Sequence, residues 1–197
     1  AEILVSQCKK FNPEYVCIYD ESKYHFMKKN TDVKNILCGH KGLIDLCELS
    51  GLDVVLNAIV GYKGLEPTIK IIESGTDIAL SNKESIVQAG HIVMKLAKLN
   101  NVNIFPVDSE HSALWQCLVG EENNQIKKII LTASGGPFRT LPKNEFDNIT
   151  VSQALNHPNW SMGNKISIDS ATMMNKGFEM IEAFWLFNVN PNQIQIV

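Results

Sequence analysis

Residues 77–108 read DIALSNKESIVQAGHIVMKLAKLNNVNIFPVD. The run 77–80 is short, apolar and β-rich. It meets a polar junction, Ser81-Asn82-Lys83-Glu84, and then a stretch over 83–99 with apolar residues at Ile86, Val87, Ala89, Ile92, Val93, Leu96 and Leu99. That spacing is helical. A second β-rich run, 102–105, follows and ends at Pro106-Val107-Asp108. Strand, helix, strand in about thirty residues is the signature of a parallel pair joined by a crossover. The same rhythm extends upstream, with strands expected at 15–19, 35–38 and 53–57 and helices at 3–9, 21–29, 43–49 and 66–73. The fold class predicted for this part is α/β with a parallel sheet.

Downstream the rhythm changes. A helix is expected over 112–119, a strand over 128–132 and a Ser134-Gly135-Gly136-Pro137 turn. A short helix over 151–155 stops at His157-Pro158, since the residue before proline avoids the helical region. A strand over 166–168 and a helix over 174–187 complete the chain. This half reads as an α+β domain with a smaller sheet.

The bulk properties narrow the function. The chain has 197 residues, 45% of them apolar and 20% charged, with a net charge of −3. With no Lys/Arg block, a nucleic-acid partner is not expected. No apolar run approaches the ~18 residues of a membrane helix, so no membrane partner is expected either. No signal peptide is visible, and a first residue other than Met suggests a segment upstream. Five scattered cysteines without a CxxC pair point to free thiols in a reducing compartment. Cys38, His40 and Cys47 could be drawn as soft-metal ligands, but buried structural thiols are the simpler reading.

Several runs carry chemistry, each with a plain alternative. Asp108 and Glu110 lie two apart after a strand. If the strand continued they would share a side and suit a hard divalent cation. Otherwise they belong to a solvated loop. Ser170-Ala171-Thr172-Met173-Met174-Asn175-Lys176-Gly177-Phe178-Glu179 offers amide, ammonium and carboxylate groups near a helix start, where phosphate is favoured. Ser134-Gly135-Gly136 could expose amides to phosphate or simply turn the chain. Asn156-His157-Pro158-Asn159-Trp160-Ser161-Met162-Gly163 is a loop with a large aromatic, either closing over something or pinned to the core. Ser81 or Asn82 could cap a helix. Lys83 at that helix's positive end hints at an anion nearby.

Together these runs resemble 1-deoxy-D-xylulose 5-phosphate reductoisomerases of the non-mevalonate isoprenoid pathway. The resemblance rests on Asn57-Ala58-Ile59-Val60-Gly61, Ser81-Asn82-Lys83-Glu84, Pro106-Val107-Asp108-Ser109-Glu110-His111 and Thr132-Ala133-Ser134-Gly135-Gly136-Pro137-Phe138-Arg139. It rests also on 156–163 and 168–182; residues 1–50 match only in pattern. It implies a Rossmann-like doubly wound NADPH-binding domain over 1–108, lacking its first strand and Gly-rich turn. It implies a catalytic domain over 109–197, truncated at its C-terminus, with a flexible flap at about 154–164. By position, Asp108, Glu110 and Glu179 are expected to bind the divalent metal. Ser134, Ser170, Asn175 and Lys176 are expected on the substrate phosphate. Lys83, Ser109 and His157 are expected on the rest of the substrate, with Trp160 and Met162 on the flap over it. Asn82, Glu84 and Gly163 are expected to contact NADPH. Lys83, Glu110, His157 and Glu179 are the residues expected to carry catalysis. Mg2+ or Mn2+ is the expected metal, with Co2+ as a third candidate, and phosphonate inhibitors of the family and a homodimeric assembly are expected. The Asn, Lys and Ile bias favours a relict plastid (apicoplast) over a bacterial cytoplasm. A phosphosugar isomerase or aldolase without nicotinamide, and a non-catalytic phosphate-binding module, are the rival classes.

Overall fold

The structure, a computed structural model, describes residues 1–121 and 123–197. The chain clusters into two compact units, residues 1–80 with 95–105 and residues 81–94 with 106–197.

The first unit alternates helix and strand as the hydropathy predicts. Helix α1 (Glu2–Phe11) precedes β1 (Tyr15–Ile18), and α2 (Tyr24–Asn30) precedes β2 (Asn35–Cys38). Then come α3 (Gly39–Cys47), β3 (Val54–Asn57), α4 (Leu65–Glu73), β4 (Asp77–Leu80), α5 (Lys83–Asn100) and β5 (Ile104–Pro106). β1 pairs parallel with β2, Tyr15 facing Asn35, and β3 pairs parallel with β4, Val54 facing Asp77. β3, β4 and β5 lie in that order in one sheet. Val5, Cys8, Val16, Met27 and Val33 form an apolar cluster beneath β1 and its flanking helices.

Polar side chains join these elements at the strand termini. The Asn57 amide donates to Gly64 O (2.9 Å) and Thr68 Oγ1 (2.8 Å), and its side-chain oxygen accepts from Ile59 N–H (3.1 Å). This ties the end of β3 to α4. The Asp77 carboxylate accepts from Asn103 N (2.7 Å) and Nδ2 (3.0 Å), which fixes the approach to β5. All five cysteines are free, and Cys38, His40 and Cys47 form no metal-capable group among the described residues.

The second unit contains the first part of α5, then α6 (Ser109–Leu118), β6 (Ile129–Leu131), α7 (Val151–Leu155), α8 (Asn164–Ala171), α9 (Met174–Phe187) and β7 (Ile194–Ile196). Its sheet pairs β6 parallel with β7, Ile129 facing Ile194. Two further bonds, Ala133 N–H to Val197 O (2.8 Å) and Val197 N–H to Leu131 O (2.9 Å), prolong that pairing. Ile129, Leu131 and Val189 are its buried apolar centre. Helix α5 is broken at Ala89 (φ −141°, ψ 30°). The next residue, Gly90, has the Trp185 indole where a side chain would begin, since a Cβ there would lie 2.3 Å from the ring.

Three sequence expectations need correction. Residues 166–168 are helical, not a strand. Ile166 and Ile168 alternate with Ser167 as a strand would, but Gly163 caps α8 and its carbonyl accepts both the Ser167 N–H (3.1 Å) and hydroxyl (3.0 Å). Three residues cannot outweigh a capped eight-residue helix. The smaller sheet is instead completed by β7, a run the sequence reading left unassigned. Finally, α6 starts at Ser109 rather than 112 and α3 at Gly39 rather than 43. Both starts hold polar or glycine residues that dilute the periodic signal. Among the described residues no helix is long and apolar enough to cross a membrane.

Candidate active site

All the charged groups singled out above lie in the second unit, and three of them form a cage. Strand β5 ends at Pro106 and α6 begins at Ser109, with Asp108 at its N-cap. The strand does not continue to Glu110, so strand alternation is not what places the two carboxylates on one side. They come together because the chain turns into a helix between them. Glu179 joins them from the second turn of α9. One carboxylate oxygen from each of Asp108, Glu110 and Glu179 lies within 4.8 Å of the others. Glu179 is only 1% exposed. Three converging oxygens with no nitrogen or sulfur suit a hard cation such as Mg2+ or Mn2+.

Two lysines hold this cage. Lys83 Nζ lies 2.5 Å from Asp108 Oδ2 and 3.3 Å from Glu179 Oε1, and donates to Asn175 Oδ1 (2.9 Å). Burial works against its charge, but Asp108 more than offsets this and raises its pKa. Lys176 Nζ donates to Glu110 Oε1 (2.9 Å), Thr132 O (2.6 Å) and Glu179 Oε2, using all three of its hydrogens. Burial also opposes the charge on Glu110. Hydrogen bonds from Ser109 Oγ (2.6 Å) and Lys176 nevertheless hold its carboxyl down at about 2.

Beside the cage a cavity of about 600 Å3 opens. That is the size of a small-ligand site. Lys83, Asp108, Ser109, Glu110, Asn175, Lys176 and Glu179 line one part of it. Ser134, His157, Trp160, Met162 and Ser170 are among the other residues that line it. The hydrogen bonds of His157 determine its tautomer. Its Nδ1 accepts from Asn159 N–H and Trp160 N–H, both at 3.2 Å, so the ring proton sits on Nε2 and donates to Ser134 Oγ (3.1 Å). Ser134 Oγ also accepts from Gly136 N–H (3.2 Å). With both lone pairs used, the Ser134 hydroxyl hydrogen is left to donate. Gly136 (φ +69°) lets this loop lie against α8, since a Cβ there would fall 2.6 Å from Ser170 O.

The comparisons with known proteins fit this geometry. The 1-deoxy-D-xylulose 5-phosphate reductoisomerase model matches residues 1–90, and the model of that enzyme's C-terminal domain matches residues 104–187. The chain belongs to the 1-deoxy-D-xylulose 5-phosphate reductoisomerase family. The reductoisomerase of Protochlamydia amoebophila is 48% identical over 196 residues, covering 100% of this chain and 51% of its own length. That of Bacteroides fragilis is 52% identical over 199 residues, with the same two coverages. A DOX-P reductoisomerase crystal structure in complex with NADPH, fosmidomycin and magnesium superposes with a TM-score of 0.87 at 41% identity, covering 99% of this chain and 51% of that one. The Zymomonas mobilis reductoisomerase in complex with NADPH gives 0.89 at 38%, covering 99% and 50%. The chain thus spans about half the length of the relatives it matches. These likenesses show the α/β fold expected from the strand and helix alternation.

Within this reductoisomerase-family site, the residues expected on NADPH stand apart from the cavity lining. Asn82 caps α5, its side-chain oxygen accepting from Ser85 N–H (3.0 Å). Glu84 receives Asn82 Nδ2 (3.1 Å) and pairs with Lys165, which also pairs with Asp169 at 2.7 Å. Gly163 caps the helix that carries Lys165. None of these three lines the cavity, but the Glu84–Lys165 pair brings their two helix starts together. Sequence reasoning missed Thr132, whose backbone carbonyl holds Lys176, and it missed the buried pair His111 and Glu182. The backbone contact left no trace in residue type. Glu182 left only its place on the helix, one turn beyond Glu179 on the same buried face.

Proposed function

We propose that this chain is part of an NADPH- and divalent-metal-dependent reductoisomerase. The reaction is conversion of 1-deoxy-D-xylulose 5-phosphate to 2-C-methyl-D-erythritol 4-phosphate in isoprenoid biosynthesis. One observation carries the reading: a three-carboxylate cage and a set of anion donors, Ser134 and Lys176, border one cavity. The relatives' shared name and their complexes support it.

In this proposal Asp108, Glu110 and Glu179 hold Mg2+ or Mn2+. When bound, the ion supplies Lewis acidity at the substrate's carbonyl and hydroxyl oxygens, and NADPH supplies the hydride. Lys83 and Lys176 now offset two of the cage's three negative charges. With that charge supplied by a divalent ion, Lys176 can turn to the substrate phosphate beside Ser134, Ser170 and Asn175. Lys83, Ser109 and His157 orient the sugar chain. His157 also fixes the root of the 154–164 loop, whose Trp160 is 66% exposed and whose Met162 faces the cavity. That loop acts as the flap, excluding water once closed. Asn82, Glu84 and Gly163 contact NADPH. We assign residues 1–108 to the cofactor domain and 109–197 to the metal and substrate domain. The whole enzyme is a homodimer and takes phosphonate inhibitors at the phosphate position. For its setting we propose a plastid on the Asn, Lys and Ile bias, with a bacterial cytoplasm, favoured by the bacterial relatives, as the competing assignment.

The test is turnover by the whole protein, followed as NADPH consumption with product detection. Activity should vanish with a chelator and return with Mn2+ or Mg2+. Turnover that ignores metal removal, or product formed without NADPH consumption, would overturn the reading.

A further inference from the structure

A second buried polar cluster adjoins the cage but lies outside the cavity lining. His111 is fully buried, Glu182 is 1% exposed, and neither lines the cavity. His111 Nε2 lies 2.8 Å from the backbone oxygen of Glu179, an acceptor only, so Nε2 carries a hydrogen and donates it. The other ring nitrogen, Nδ1, lies 3.2 Å from Glu182 Oε2 and 3.7 Å from Asp108 Oδ2. The imidazole stacks on Phe187, with ring planes 6° apart and centroids at 6.2 Å.

This arrangement connects the two elements that carry the cage. His111 stands on α6, which Asp108 caps. Glu182 and Phe187 stand on α9, which also carries Glu179. One imidazole therefore lies against both helices: Nε2 donates to the backbone of Glu179, while Nδ1, without a hydrogen, faces the Glu182 carboxyl and abuts Asp108 Oδ2 with no hydrogen bond between them. Contacts of this kind fix where the elements that carry ligand carboxylates sit. Nothing in the substrate cavity explains a carboxyl group kept this deep. Burying one without a function is costly.

We propose that Glu182 is a positioning residue of the cation site, acting through His111 and Asp108. Through His111 it holds α6, and with it Asp108, at the spacing from α9 that the three-carboxylate cage requires, and so sets how tightly the ion binds. The inference rests on the cation reading of Asp108, Glu110 and Glu179 given above.

The experiment measures Mn2+ binding to the whole protein by electron paramagnetic resonance, with phosphate binding measured separately without metal. Four variants are compared with the parent: E182L, the smaller E182A in case E182L does not fold, E182Q, and E110Q as the control on the cage itself. E182L or E182A should weaken Mn2+ binding by about 10-fold or more, as lost outer support of a metal ligand does. Phosphate binding should be unchanged, and kcat should recover at saturating Mn2+. E182Q, which keeps shape and a hydrogen-bonding end, should bind Mn2+ close to the parent. Parental Mn2+ affinity in E182L and E182A, with only the melting temperature lowered, would overturn the proposal and leave the cluster a packing feature. If E110Q too bound Mn2+ like the parent, the cation reading of the cage would fall, and this inference with it.

Discussion

Two buried clusters, one from each unit, are made of different material. Around β1 the first unit buries Val5, Cys8, Val16, Met27 and Val33, a cluster without a formal charge. Around α9 the second unit buries Lys83, His111, Lys176, Glu179 and Glu182. An apolar centre stabilises a fold in proportion to the area it removes from water. A charged centre of this density does not, because desolvation offsets most of what the ion pairs return. The first centre is what a fold needs, and the second is what a site needs.

That contrast can be broken or sharpened by substitution. The largest effect is expected at Glu179. Glu179→Gln should leave Lys83 and Lys176 short of a counter-charge, costing ~3–5 kcal/mol of stability in denaturant titration. It should also cut turnover at low Mn2+ by about 100-fold or more, with partial recovery as Mn2+ is raised. An apolar change should behave oppositely. Met27→Ala should cost ~2–5 kcal/mol of stability and leave the Mn2+ affinity of the folded protein untouched. Altered metal affinity in Met27→Ala would mean that the two centres are not independent.

Lys176→Ala comes next. It should weaken binding of the phosphorylated substrate by ~1.5–3 kcal/mol, the worth of a lost charge-assisted contact. The loss should shrink for an analogue without the phosphate. An equal loss for both would place Lys176 in the cage alone.

The pH dependence of stability has two signs, and near any one pH a change of a fraction of a unit moves it least of all. Glu110 is held at about 2, below its ordinary 4.5. Its contribution to stability is present above 4.5 and is lost as pH falls toward 2. Glu182 is raised to about 9, so the folded state keeps a proton that the unfolded chain gives up near 4.5. Its contribution is present below 4.5 and is lost as pH rises toward 9, at up to ~1.4 kcal/mol per pH unit. Melting curves across pH should show Glu110→Gln flattening the acid side and Glu182→Gln flattening the alkaline side. Unchanged slopes would remove the electrostatic account of this centre.

The same contrast decides what could be read from the sequence. Strands β1 to β4 and helices α1, α4, α5 and α9 follow hydropathy, because an apolar core imposes a period on the chain. The runs from Asp108 to Glu110 and from Asn175 to Glu179 were legible as chemistry through their residue types, and the family resemblance gave each a role. Their geometry was less legible. The turn into α6 that brings Asp108 to Glu110 has no apolar marker, and 166–168 imitates a strand while being helical. β7 depends on a partner 65 residues away, Ile129 facing Ile194, which local pattern cannot supply. His111 and Glu182 escaped notice because a lone histidine and a lone glutamate on a helix are ordinary surface residues until the packing is known.

The His157 tautomer has a consequence of its own. Its ring takes two backbone hydrogens on Nδ1 and offers one to Ser134, so the loop root is a clasp closed by a single proton in a single position. A second proton on that ring would set donor against donor at Asn159 and Trp160, and the clasp would be pushed open from within. A metal at His157 Nε2 would take the lone pair only after that proton had left, and Ser134 would lose its donor in the same step. The residue is therefore poorly suited to serve as a ligand and well suited to pin one turn to another. It ties the Ser134–Gly136 turn to residues 157–160 through one imidazole.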